Sequence, residues 1–176
     1  MHPAQIFGEA ILGWLFADLV TGLFHWWEDR IGRVDMPIVG KWLVEPNRLH
    51  HVEPMTFTQG SVADRSLACA VAAGIVAALW VLAFGPSVFC LFFAIGGAVV
   101  NEVHRLAHLG KAPGLLGVLQ DIGLLQSPAH HAGHHRGEHD QRYLVLTDWL
   151  NPVVDRLGLW KRIERLLARM GVAVAP

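Results

Sequence analysis

Charge is scarce in this sequence. Only 16% of its 176 residues are Asp, Glu, Lys or Arg, against about 25% in ordinary soluble domains. A net charge of −1 excludes a nucleic-acid binder that works through a basic field. The two cysteines, Cys69 and Cys90, both sit in apolar runs, so no disulfide framework is implied. Tyrosine occurs once. The zinc-protease pattern H-E-x-x-H is missing, because Glu102 precedes His104 in the wrong register. Internal repeats and low-complexity linkers are missing as well. Two things are abundant instead. Hydrophobic residues make up 53% of the chain, far from a disordered composition, and there are 11 histidines. The length suits a single domain, residues 1–176.

From Ser66 to Asn101 no side chain is charged. About 20 apolar residues cross a bilayer core, so this run makes two spans if it turns, and Gly85-Pro86-Ser87 supplies the turn. The pattern predicts helices over Ser66–Phe84 and Val88–His108, and another span over Ile6–Trp27. That first stretch has no basic n-region and no cleavage site of small residues, so it does not read as a signal peptide. Arg30, Arg33, Lys41, Arg48 and Arg65 lie between the first two spans, and the remaining Lys and Arg lie at or beyond the inner end of the third. Positive-inside reasoning then puts the N-terminus outside and the C-terminus in the cytoplasm, in an all-α bundle. Shorter elements are expected to flank the spans. Pro37–Val44 dips into the interface, Gly114–Leu125 is an interfacial or re-entrant helix, and Leu157–Met170 is an amphipathic helix lying on the leaflet.

With this topology every histidine except His2 falls on one side. Residues four apart share a helix face, so His25 and Asp29, and likewise His104 and His108, are placed to grip one ion. His131, His134 and His135 project together in the same way. His50 and His51 form a pair, and His130 and His139 flank the last group. Neutral imidazole suits Zn, Cu, Fe and Ni. So many donors exceed the four positions of a tetrahedral zinc site, which favours a two-metal centre. Asp29 is expected as a ligand or as a carboxylate orienting a ligand histidine. Asp18 lies about 10 Å deeper than His25 by helical rise, too deep for the same ion, and is expected to pair with Asn101 across the bundle. Gly22, on the same stripe, is expected to admit a neighbouring helix or a lipid chain. Arg48 and Arg105, beside the ligands, are candidate phosphate partners. A metal transporter would place its ligands at the bilayer midplane, whereas these crowd one face.

Several motifs occur here in one order: Gly22-Leu-Phe-His25-Trp26-Trp-Glu-Asp29, Pro37-Ile-Val-Gly-Lys41, His50-His51-x-x-Pro54, Asn101-x-x-His104-x-x-x-His108, Leu119-Gln120-Asp121 and His130-His131-x-x-His134-His135. Together they resemble the Kua/CarF lipid desaturase family, from about Asp18 to Glu164. The resemblance implies a membrane oxidoreductase whose histidine-bound di-iron centre uses O₂ and two electrons, delivered by a carrier of the cytochrome b5 or ferredoxin type. The substrate it implies is a membrane phospholipid. In one branch of the family the 1-O-alkyl chain of an ether phospholipid becomes a vinyl ether, and the tail around Trp149 and Gly158–Glu164 looks closer to that branch. In the other branch an acyl chain is desaturated. A bacterial inner membrane is the expected location, and a non-enzymatic membrane metal-binding protein is the alternative from another class. The sequence departs from the family pattern at Gly60, Ser66, Leu144 and Asp148.

Overall fold

Helix dominates because apolar runs inside a bilayer must satisfy their own backbone. The computed structural model describes residues 2–136 and 139–175, and no strand occurs among them. α1 spans Pro3–Arg30, opened by Pro3 and capped by His2, whose Nδ1 accepts from the Ala4 amide. At about 1.5 Å per residue it is longer than a bilayer core is thick, so its last turns reach the interface. After the short helix α2 (Glu45–Val52) come α3 (Val62–Phe84) and α4 (Val88–Leu109). α3 opens on a capping box in which Ser61 and Asp64 satisfy each other's backbone. The hairpin turns at Gly85, in the left-handed region at φ 81°, and Ser87 caps α4. These three long helices are apolar and long enough to cross a membrane, and each contains one of the predicted spans.

α4 is the middle helix and packs on both α1 and α3. Small residues let the helices approach closely: a Cβ on Gly97 would meet the Ala73 Cβ at 2.7 Å, and one on Gly96 would meet Ala17 at the same distance. α3 is buried least. Leu67, Val71, Ile75, Leu79 and Leu82 are exposed on it, as on a helix facing lipid.

The remaining elements close one end of this bundle. A π-helical turn, Gly40–Val44, leads into α2, with Ile38 and Trp42 exposed before and within it. α5 covers Gly114–Asp121, ending short of the expected Leu125, and leaves Leu115 and Val118 exposed. α6 (Pro128–His134) carries the last histidine cluster and is capped by Ser127. α7 (Asn151–Arg156) and α8 (Leu159–Arg169) follow. The expected amphipathic helix is α8, but its apolar face is not free to lie wholly on a leaflet. Trp160 is buried and stacks on Trp26 at 6.2 Å, and Ile163 and Leu167 pack on the same cluster, leaving Leu166 and Met170 exposed. Arg30 pairs with Glu164 at 2.8 Å and ties α8 to the end of α1.

Between α6 and α7 runs a non-helical strap, residues 143–147, that is almost wholly buried. Such backbone is tolerated in a membrane protein only where protein groups satisfy it. Here they do. Asp18 accepts from the Leu146 amide, the Thr147 amide and the Thr147 hydroxyl. Asn151 accepts from the Leu144 amide, and both Asn151 and Gln126 donate to the Leu144 carbonyl. Asp18 therefore does not pair with Asn101, which donates to the Arg65 carbonyl instead. Three donors on the strap outcompete a single amide across the bundle. Gly22 makes room for neither a helix nor a lipid chain but for Leu144 of the strap, whose Cγ would lie 2.7 Å from a Cβ there.

Candidate metal centre

Helix ends set most of these histidines. His25 and Asp29 stand one turn apart near the end of α1, His50 and His51 in α2, and His104 and His108 one turn apart near the end of α4. His131 and His134 are in α6 and His135 caps it. His139 follows at φ 50°. These donors gather into adjoining groups. His50, His104, His108, His131 and His135 each offer a ligand atom within 4.8 Å of the others. His25, Asp29, His51 and His134 form a second such group, and His51, His135 and His139 join the two. The groups touch directly, the His50 and His51 rings lying 4.3 Å apart.

The partners of the ring nitrogens fix which of them are bare. The His25 Nδ1 lies 3.0 Å from the Tyr143 carbonyl and the His134 Nδ1 2.7 Å from the Gln141 carbonyl; the His50 Nδ1 faces the Asn47 carbonyl. A carbonyl only accepts, so each Nδ1 carries the proton and each Nε2 is left with its lone pair. All three of those Nε2 atoms are buried with no hydrogen-bond partner. A backbone carbonyl orienting a ligand imidazole is the usual device at metal sites. Asp29 faces this group with both oxygens: Oδ1 is 2.9 Å from the His51 Nε2, and Oδ2 is 3.6 Å from His25 and 3.5 Å from His134.

In the five-histidine group the Nε2 atoms of His104, His108 and His131 form a triangle with sides of 3.0, 3.1 and 2.9 Å. A hydrogen bond needs one protonated and one bare nitrogen. Around a triangle that alternation fails, so at least one side always sets like against like. The His135 Nε2 adds a fourth nitrogen, 3.0 Å from that of His131. Converging lone pairs that cannot all be satisfied by protons fit a cation. Burial, then the neighbouring imidazoles, hold His50, His131 and His135 well below the ordinary histidine range. They are neutral near pH 7, as ligands must be. The donor set is compatible with iron among the imidazole-binding metals.

His130 stands apart from these groups. Its Nδ1 is 4.0 Å from Asp148, and its Nε2 is buried without a partner. Arg48 donates to the Gly32 carbonyl, and Arg105 pairs with Glu102 at 2.8 Å. At the four departures from the family pattern, Gly60 adopts φ 81° and accepts from Arg65, Ser66 is buried, Leu144 packs on Gly22, and Asp148 accepts from the Ser127 amide. Sequence reasoning missed the carbonyls of Asn47, Gln141 and Tyr143 as orienting groups. Any residue type offers a carbonyl, so nothing in the residue pattern marks them. It also missed Phe57, whose ring lies 4.5 Å from that of His104.

Fold and site together define an all-helical membrane protein with clustered histidine donors, compatible with iron, at one end of its bundle. The lipid desaturase domain model matches residues 14–174, and the chain belongs to the lipid desaturase family. It is 32% identical over 171 residues to a plasmanylethanolamine desaturase of Myxococcus xanthus, covering 92% of this chain and 60% of that protein. It is 32% identical to plasmanylethanolamine desaturase 1 of Mus musculus, covering 94% of this chain and 66% of the relative. A chloroplastic fatty acid desaturase 4-like protein of Arabidopsis thaliana is 36% identical over 88% of this chain and 54% of its own length. This chain thus spans less than two thirds of the length of these relatives. No solved structure matches it.

Proposed function

We propose that this protein is a membrane lipid desaturase that converts the 1-O-alkyl chain of an ether phospholipid to a vinyl ether. The observation that carries the reading is the convergence of two adjoining donor groups, rich in bare imidazole nitrogens, at one end of membrane-spanning helices. Family membership supplies the lipid chemistry, and the plasmanylethanolamine desaturases among the relatives favour the ether substrate. Iron pairs suit these donors: the five-histidine group would hold one ion, and His25, Asp29, His51 and His134 would hold the other, with His139 beside them. Such a centre supplies an oxidant strong enough for an unactivated C–H bond, which no side chain provides. The reaction balances as two C–H bonds broken and one C=C bond formed. The two hydrogens, O₂, two electrons and two further protons leave as two waters. An external carrier of the cytochrome b5 or ferredoxin type delivers the electrons.

The chain's own residues have distinct parts. The carbonyls of Asn47, Gln141 and Tyr143 hold three imidazoles in one tautomer. Asp29 adds negative charge that offsets part of the metal charge. The buried strap and the α8 cap close the bundle end beside the second donor group, keeping bulk water from the reacting chain. The positions of Lys and Arg favour a site on the cytoplasmic side of the membrane, where a soluble carrier can dock.

A host that lacks plasmalogens, given alkyl ether lipid and this protein under air, is expected to accumulate vinyl ether lipid. Mass spectrometry separates the outcomes: desaturation loses about 2 mass units, and hydroxylation gains roughly 16. The fatty acid desaturase relatives favour one second reading, desaturation of a phospholipid-bound acyl chain. A double bond in acyl chains with no vinyl ether formed would establish that reading instead.

A further inference from the structure

Among the described residues, only two rings other than histidines lie against the donor groups. Tyr143 is buried beside His25 and His134. Phe57 is half-buried and covers the five-histidine group, 4.5 Å from His104, 5.6 Å from His50 and 6.1 Å from His108. It sits on no long helix but on a single 3₁₀ turn, Thr56–Thr58. Arg65 holds that turn in place. Its Nη1 donates to the carbonyls of Gln59 and Gly60, and its Nε donates to Glu102, two residues before His104 on α4. Among the described residues the other rings against the five-histidine group are imidazoles, from α1, α2, α4 and α6 and from His139. A hydrocarbon chain approaching it needs an apolar surface to lie on, and Phe57 is the ring that offers one. Met55, in the same turn region, is exposed.

We propose that Phe57 is the wall against which the lipid chain lies at the five-histidine group, and that it sets which pair of carbons is presented. The proposal rests on the lipid desaturase reading for its substrate class. A ring held by a tethered turn fixes the depth to which a chain slides. A smaller side chain there opens room for about the length of one or more methylenes, and a single methylene in an apolar pocket changes selectivity by roughly 10–200-fold.

Two measurements test this, one of them independent of turnover. The first uses the iron-loaded wild-type protein in phosphatidylethanolamine vesicles, with a 1-O-alkyl phospholipid carrying a diazirine close to the ether carbon. Photolysis is expected to label the peptide containing residues 55–58. Labelling confined to the exposed faces of α1 and α3 overturns the proposal. The second compares Phe57→Leu and Phe57→Ala. Both are expected to keep wild-type iron content while the ratio of positional isomers shifts by about tenfold. Arg65→Gln, which frees the turn, is expected to shift the ratio in the same direction. Loss of iron in Phe57→Leu, or slower turnover with an unchanged isomer ratio, shows a ring that only packs the ligands and overturns the proposal. If Phe57→Ala fails to fold, the leucine variant decides. A wild-type protein labelled at residues 55–58 that forms no desaturated lipid upholds the wall and removes the desaturase reading.

Discussion

Single side chains in this protein differ sharply in what their loss would do. His104 and His135 offer nitrogens to the five-histidine group and make no backbone-anchoring bond through those nitrogens. His104→Ala or His135→Ala is therefore expected to abolish desaturation and lower iron content, while the protein still inserts and extracts as folded material. Normal product from either variant would falsify the metal assignment. Asp18 is the opposite case: it lies outside both donor groups and accepts three hydrogen bonds from the strap. Leaving buried donors unpaired costs about 1–3 kcal/mol each. Asp18→Ala is thus expected to lower the unfolding temperature markedly, with Asp18→Asn intermediate, as scanning fluorimetry in detergent would show. The two kinds of residue were not equally legible. Histidine spacing follows helical period, so pairs such as His104 and His108 could be seen in one dimension. The partner of Asp18 lies 128 residues away in irregular backbone, where no periodicity connects the two.

Helices and their contacts follow a simpler logic. The three long helices could be placed to within a few residues because an uncharged run and a Gly-Pro-Ser turn leave few alternatives. The strap could not, since its residues Tyr143–Leu146 read equally as a short buried strand or a helix segment. Its packing depends on Gly22 of α1. Gly22→Ala would push a Cβ against Leu144, whereas at Gly74 of α3 a Cβ meets nothing within 4 Å. Overpacking of this kind costs about 1–3 kcal/mol, while Gly→Ala at an open helical position gains up to about 1 kcal/mol. Unfolding temperatures of the two variants should thus move in opposite directions. A rise for Gly22→Ala would show that the strap does not press on α1 as described. The same contact bears on the candidate metal centre, because Tyr143 of the strap supplies the carbonyl that faces His25.

For the molecule as a whole, histidine protonation couples stability to pH. Burial first, and then neighbouring imidazoles, lower His50, His131 and His135 in the folded chain. In the unfolded chain they titrate near 6.5. Below that pH the unfolded state binds protons that the folded state refuses, so stability falls as pH falls and is flat with respect to these groups above it. Metal-free protein is expected to unfold at lower temperature at about pH 5.5 than at about pH 7.5, and loading the proposed iron should raise the unfolding temperature at about pH 7.5. A metal-free protein that gains stability on acidification would contradict the burial of these rings.

The strap also has a consequence for how the protein comes into being. Its bonds to Asp18 join α1 to a segment that leaves the ribosome more than a hundred residues later. Contacts of such separation form late. Until they do, the carbonyl that orients His25 is not in place, and His134 has yet to meet Asp29. Membrane insertion therefore precedes completion of the second donor group by much of the time of synthesis. Over that interval the nascent chain is a threaded but immature bundle, whose second donor group is still open.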